Sequence, residues 1–346
     1  MKKIVKVGKF NIGDGNITIQ SMTNLPVTDV EATCEQIKRL CGCGCDIVRI
    51  AVPNKESVVA FRKVRDNFKN VPLVADIHFD YRLAIGAIEA GADKIRINPG
   101  NISKDHLIDV VDCAKKNNVA IRLGVNGGSV NKDALKLYKN KCVALYKNLE
   151  EYVQYFEDNN FDNIVLSIKS SDVAETIETN RLISKLGYPI HLGVTEAGLP
   201  EMGIVKNAIG IGSLLCDGIG DTIRVSLTAD PVEEVFAAKR ILSALNIGSL
   251  AQFVSCPKCG RCSVNLEKVA QEVYDYVKNI PCKIKVAVMG CEVNGPGECK
   301  DADIGIAGSN GDFVLFTKGE LFKKIDSEHA VDILKKEIDK LVEKNI

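Results

Sequence analysis

A chain of 346 residues, 46% of them hydrophobic, is long enough for one large domain and a smaller one, each with its own core. Forty-five basic against 45 acidic residues leave zero formal net charge, so nothing global favours nucleic acid or an anionic membrane, and any anion binding must be local. The N-terminal stretch MKKIVKVGKFNIGDGN lacks the apolar core of a signal peptide, and no run of about eighteen apolar residues occurs; the 13 cysteines therefore read as cytoplasmic thiols and metal ligands, not as a disulfide framework.

In chain order, a short hairpin is expected first, IVKVG turning into NITI. Then a unit of β-branched strand, loop and amphipathic helix repeats eight times. The strand cores are TIQSM (18–22), DIVRI (46–50), LVADI (73–77), DKIRI (93–97), VAIRLGV (119–125), NIVLSI (163–168), PIHLGV (189–194) and DTIRVSL (221–227). Helical periodicity fills the intervals at 30–40, 57–68, 82–90, 106–116, 149–159, 173–186, 203–215 and 232–245. Eight strand-helix units over about 230 residues predict an α/β fold with an N-terminal TIM-type (β/α)8 barrel over 1–245. The CGCGC run closes one helix and opens the next strand, where Gly and Cys pack small, and Cys34, Cys113, Cys142, Cys216 and Cys282 read as buried or half-buried fillers. Beyond residue 245 the alternation breaks. A helix (266–278), strands (284–289, 303–307, 312–316) and a last helix (330–343) predict a small α+β domain over 246–346.

Four strands carry an arginine between apolar neighbours: Arg49, Arg96, Arg122 and Arg224. Side chains alternate between the interior and the helix layer, so apolar flanks packed under helices send each guanidinium inward. Unpaired buried cations cost several kcal/mol each, and the candidate partners Asp76 and Glu196 cannot neutralise four arginines and Lys169. With Asn98, Asn126 and Ser226 as neutral donors, the mouth of the barrel is expected to bind a strongly anionic ligand, and a diphosphate suits the guanidinium fork. Glu196 in VTEAG is the mouth carboxylate placed to move a proton or hold a hydroxyl. Asp76 and His78 end strand three, with roles in ligand contact or capping both open, and His191 reads as a satisfied core histidine.

The second domain opens on SCPKCGRC and returns to MGCEVNGPGEC. Cys256 and Cys259 form a knuckle that suits zinc and iron-sulfur sites alike, and Cys291 brings a third thiol. A zinc ribbon would close with a second pair two residues apart. Cys291 and Cys299 are eight positions apart, so spacing leaves both metals open, including an all-thiolate set with Cys299.

Taken together, TIQSMTN, HFDYRLA, INPGN, RLGVNGGS, HLGVTEAG, DGIGDTIRVSL, SCPKCGR, MGCEVNGPGE and ADIGIAG closely resemble the family of bacterial two-domain 4-hydroxy-3-methylbut-2-enyl diphosphate synthases of the methylerythritol phosphate isoprenoid pathway, nearly end to end. The resemblance implies a [4Fe-4S] cluster held by Cys256, Cys259, Cys291 and Glu298. It also implies that Arg49, Arg96, Arg122, Lys169 and Arg224 bind the cyclic diphosphate of methylerythritol, and that flavodoxin or ferredoxin supplies electrons. The implied reaction is a two-electron reductive dehydroxylation with ring opening, in which Glu196 positions or protonates the hydroxyl and Asn294 contacts substrate. Cys299 and Cys262 depart from the family's ligand set, and a thiol there would compete with Glu298. The alternative is a non-redox phosphate-ligand TIM-barrel lyase or isomerase with a structural zinc domain.

The eighth helix is expected to end at the barrel face opposite the mouth, and a link of about ten residues spans at most about 35 Å. A homodimer in which one subunit's metal domain serves its partner's barrel resolves this.

Overall fold

The computed structural model describes residues 2–126, 137–248, 250–291, 301–318 and 320–345. The chain divides into two compact units, Met1–Ile241 and Leu242–Ile346. None of the helices among the described residues is long and apolar enough to cross a membrane.

In the first unit, β1 (Val5–Val7) and β2 (Phe10–Ile12) form an antiparallel hairpin. The partner of the first strand is thus FNI, not NITI. Thr18 and Ile19 belong instead to the first barrel strand, where they pair with Thr222 and Ile223 of the last. The barrel strands are β3 (Thr18–Met22), β4 (Ile47–Ala51), β5 (Leu73–Asp76), β6 (Lys94–Ile97), β7 (Ala120–Asn126), β8 (Ile164–Lys169), β9 (His191–Leu192) and β10 (Thr222–Ile223). They pair in parallel in the order β8-β7-β6-β5-β4-β3-β10-β9, and a parallel bridge between Leu166 and Ile190 joins the two ends. This is the barrel that strand-helix alternation predicts.

Helices α1 (Val30–Gly42), α2 (Lys55–Asn67), α3 (Tyr81–Glu89), α4 (Lys104–Asn117), α5 (Lys141–Asp158), α6 (Val173–Ile183), α7 (Pro200–Cys216) and α8 (Pro231–Ala244) follow the strands. Their starts are set by local chemistry: Asp29, Asn54, Asn140 and Asp172 each accept a hydrogen bond from the backbone N–H three residues on, at 2.8–3.1 Å. The fifth helix starts at Lys141, earlier than its periodicity suggests, because Asn140 caps it.

Where the hairpin meets the barrel, Val5, Val7 and Ile12 pack on Ile47, Val74, Ala120 and Val165, the inward residues near the strand starts. The hairpin is an apolar floor. Since strand side chains alternate, the next inward residues two positions on are Arg49, Asp76, Arg122 and Ser167. Parallel register places Arg96 level with Asp76 and Arg122. The barrel is therefore layered, apolar at the base and charged above.

The second unit holds β11 (Gln252–Ser255), α9 (Leu266–Val277), β12 (Lys285–Met289), β13 (Ile304–Ser309), β14 (Asp312–Thr317), β15 (Glu320–Ile325) and α10 (Ala330–Asn345). The sheet runs in that strand order, with β11, β12 and β13 parallel and β14 and β15 antiparallel. Both helices bury their apolar stripes against it, with Val273, Val277, Leu334 and Ile338 in one core with Val286 and Ile306. Strands β11 and β15 are absent from the sequence expectation. The second reads ELFKKI, an exposed edge strand with little alternation to reveal it.

Candidate active site

Arg49, Arg96 and Arg122 are buried inside the barrel, and Arg224 is half-buried. Lys169 ends β8 and is buried too. Two glycines make room for these cations. A Cβ on Gly124 would lie 2.9 Å from Arg96 Nε and 3.3 Å from Arg122 Nη2; one on Gly193 would lie 2.7 Å from Lys169 Nζ. The repeated Leu-Gly-Val of β7 and β9 is the sequence signal for this, and sequence reasoning passed over it.

Neutralisation is partial. Arg96 Nη1 donates to Asp76 Oδ1 at 3.4 Å and faces the His78 ring, whose Nε2 lies 3.3 Å from Asp76 Oδ2. Arg224 meets Glu234 through Nε and Nη2, both at 3.4 Å. Glu234 is held by Ser21 Oγ at 3.0 Å and by the Leu227 N–H at 3.1 Å. Arg49 points Nε and Nη2 at the Met22 sulfur, a weak acceptor. Nε of Arg96 and both Nε and Nη1 of Arg122 are buried without a partner.

The carboxylate facing Arg224 is therefore Glu234, which the sequence reading missed because it reaches back from the start of α8. Glu196 is exposed and is not an internal counter-ion. It lies past β9 with φ of +52°, a left-handed conformation that is strained for a glutamate. His191 is fully buried, but neither ring nitrogen has a protein partner, so it is not the satisfied histidine expected.

These charges bend one another's titration. Burial raises the Asp76 carboxyl, but Arg49, the His78 hydrogen bond, Arg96 and Arg122 outweigh it and hold the group well below the usual carboxylate range. Burial, then Arg122, Arg224, Arg49 and Arg96, push the Lys169 ammonium well below its ordinary value. Burial, then Arg49 and Arg96, act likewise on Arg122, with Asp76 opposing. Positive charge is in excess, and an anion is what would relieve it.

Around these cations, Asn98 is buried and uses Oδ1 to accept the Gly100 N–H at 3.2 Å, while Ser226 is half-buried. Asn126 closes β7 in register with Lys169; its side chain lies outside the described residues.

In the second unit, Cys256 follows β11 and Cys291 follows Gly290 at the end of β12. These strands are parallel neighbours, with Ser255 level with Val288, so both thiol-bearing segments leave the same end of the sheet. The Gly290 N–H donates to Cys256 Sγ at 3.2 Å. Cys262 Sγ lies against Gly290, 2.8 Å from where a Cβ would stand, and donates to the Val264 carbonyl at 3.2 Å. Cys259 is exposed. No group of three or more metal-type side chains is assembled among the described residues. Asn294, Glu298 and Cys299 lie outside the described residues. Of the expected fillers, Cys142 and Cys282 are buried and Cys34 and Cys113 half-buried, but Cys216 is exposed.

A parallel barrel with incompletely compensated cations inside, followed by a unit that sends Cys256 and Cys291 off one sheet end, defines a class of two-unit α/β protein whose first unit is a TIM-type barrel. The first unit matches the family model of the GcpE TIM-barrel domain over residues 2–239, and the second that of the GcpE protein C-terminal domain over 252–340. The chain belongs to the GcpE family.

Among its relatives is the protein of Clostridium acetobutylicum named 4-hydroxy-3-methylbut-2-en-1-yl diphosphate synthase (flavodoxin), 52% identical over 342 residues, 97% of this chain and 98% of that one. Proteins of the same name from Clostridium tetani and Caldanaerobacter subterraneus are 52% and 50% identical, over 96% and 98% of this chain and 97% and 96% of their own lengths respectively. Among solved structures, dihydropteroate synthase from Xanthomonas albilineans superposes with a TM-score of 0.52 at 17% identity, over 70% of this chain and 98% of its own. DHPS from Yersinia pestis gives 0.52 at 11% identity, over 70% and 100%. At such identities the likeness is one of barrel fold alone.

Proposed function

We propose that this chain converts 2-C-methyl-D-erythritol 2,4-cyclodiphosphate to 4-hydroxy-3-methylbut-2-enyl diphosphate by reductive dehydroxylation and ring opening. Two electrons and two protons enter, one carbon-oxygen bond to the ring phosphate and one to a hydroxyl break, and one oxygen leaves as water. The observation that carries this reading is the clustering of Arg49, Arg96, Arg122 and Lys169 around the internal carboxylate Asp76, with nitrogens of Arg96 and Arg122 unpartnered, buried in a barrel whose close relatives bear the name of that synthase.

The cup binds the two phosphoryl groups. Guanidinium forks on adjacent strands β6 and β7 suit paired phosphoryl oxygens, Lys169 supplies a point charge, and Arg49 and Arg224 close the ring of cations. Asn98, Asn126, Ser226 and Asn294 supply neutral contacts. Glu196, held in its strained conformation beside the mouth, positions or protonates the departing hydroxyl.

In the second unit the residues fit a [4Fe-4S] cluster. Cys256, Cys259 and Cys291 are its thiolate ligands in this reading and Glu298 its fourth, supported by the parallel placement of β11 and β12 and by the Gly290 N–H on Cys256. When bound, such a cluster relays single electrons to the substrate. The relatives' names support flavodoxin as donor, with ferredoxin as the other candidate. A cytoplasmic homodimer whose sites are shared between subunits completes the reading.

Anaerobically purified protein tests it. Iron and sulfide in cluster proportion, with conversion of the cyclodiphosphate by reduced flavodoxin, is the expected result. A colourless protein with stoichiometric zinc and no turnover would overturn it in favour of a non-redox lyase or isomerase.

A further inference from the structure

Lys94 opens β6 and is fully buried, and its Nζ has no hydrogen-bond partner. Register sets it level with Val74 and Ala120, the inward residues that rest on the hairpin floor. It thus stands inside the barrel, between the apolar base and the arginine layer. The apolar flanks Ile95 and Ile97 alternate with Lys94 and Arg96, which share the inner face.

The charged groups around it are mostly of its own sign. Arg122 acts on it from β7 and Arg49 from β4, while His191 of β9, itself within reach of Lys94, is held neutral by burial and by Lys169, Arg122, Lys94 and Arg49. Asp76, one layer up on β5, serves Arg96 and His78. Gln20 on β3 is neutral, and β1 and β2 present valine and isoleucine. The acid acting on Lys94 is its chain neighbour Asp93, whose carboxylate is already engaged by Arg65 and by the Leu73 N–H. Burial first, then Arg122 and Arg49, bring the Lys94 ammonium down to about 7, with Asp93 opposing.

We propose that Lys94 stands as the neutral amine in the empty barrel and takes up a proton from solvent when a diphosphate fills the cup above it, so that anion binding and protonation are one linked event. The inference rests on the reading of the cup as an anion site. Its physical content is reciprocal: an anion that favours the ammonium is itself bound more tightly when the ammonium is present. The loaded barrel thereby holds one cation more at this position than the empty barrel, a change that a fixed arginine could not give. Lys94 is a positioning residue in this scheme, acting through the field of the cup.

The test is calorimetric titration with 2-C-methyl-D-erythritol 2,4-cyclodiphosphate near pH 8, a pH between the empty-barrel value of Lys94 and that of an ordinary lysine. Each phosphoryl group of this ligand is bridged once to carbon and once to the other phosphorus, so each keeps a single strongly acidic oxygen and does not titrate there. Repeating the titration in buffers of different protonation enthalpy counts the protons taken up. Wild type is expected to take up protons, Lys169 adding its share, and Lys94→Met to take up close to one fewer while still binding. Lys94→Gln is the second variant, and lysine ε-carbon NMR of wild type, empty and loaded, reads the same protonation with no substitution. Binding with equal proton uptake in wild type and variants, or an unmoved Lys94 resonance, overturns the proposal and leaves the cup reading intact. Failure of wild type to bind the ligand at any pH overturns both.

Discussion

Gly193 and Lys169 share a space that admits no side chain between them: a Cβ on Gly193 would stand 2.7 Å from Lys169 Nζ and 2.4 Å from the Arg224 carbonyl oxygen. The backbone carbonyl cannot swing aside as a side chain can, and φ at Gly193 is +157°. Gly193→Ala should therefore lower stability, by about 2 kcal/mol or more, read as a fall in the denaturation midpoint. Gly124→Ala meets only the ends of Arg96 and Arg122. It should fold nearly as well as wild type and raise KM for the cyclodiphosphate about tenfold by displacing a guanidinium. Equal stability losses in the two variants would contradict this.

Removing a charge that has no partner should help the empty protein. Arg122 is buried with two unpartnered nitrogens, so Arg122→Met should raise the melting temperature of the ligand-free protein, by an equivalent of about 1–3 kcal/mol, while abolishing substrate binding. Differential scanning calorimetry with and without ligand separates the two effects. A melting temperature below wild type would mean that Arg122 is satisfied in the empty barrel.

The same logic gives stability a pH dependence. Lys94 releases its proton at about 7 in the folded chain, whereas an unfolded lysine does so near 10.4. Between those values the unfolded state binds more protons, so this group makes stability rise with pH, at most by about 1.4 kcal/mol per pH unit. Below about 7 both states are charged and the full cost of burial stands. Chemical denaturation of wild type and Lys94→Met from pH 7 to 9 should show the wild type gaining on the variant. Parallel curves would exclude the effect.

A shared site predicts complementation. Arg122→Ala lacks part of the cup and Cys291→Ala lacks a thiolate, so each homodimer should be inactive. Mixed dimers should recover at most about half of wild-type activity, since one of two sites regains both parts. Heterodimers shown to form but inactive would argue for sites built within one chain.

Much of the barrel is written in its periodicity. Isoleucine, valine and leucine flanking Arg49, Arg96, Arg122 and Arg224 revealed both the strands and the inner face, because apolar flanks must lie under the helices. Lys94 was equally legible by that rule, two positions before Arg96, but an apolar-layered barrel gave no reason to look for a lysine so deep. Glu234 was not legible: it sits on a helix, and only the closed barrel brings it to Arg224. The hairpin was misread because NITI alternates convincingly while FNI is three residues long. In the second unit the CPKC knuckle was plain, but β11 before it reads QFVS, half-buried on both faces and without a period.

The hairpin under the barrel has a kinetic meaning. With Val5, Val7 and Ile12 fully enclosed against the strand starts, the barrel is a cul-de-sac. Whatever enters must turn round and leave by the doorway it came through, so the spent molecule bars the next one until it departs. Prising the stopper loose would drain that dead end from below and let bulk solvent reach Lys94, and a sequential queue would become a through passage.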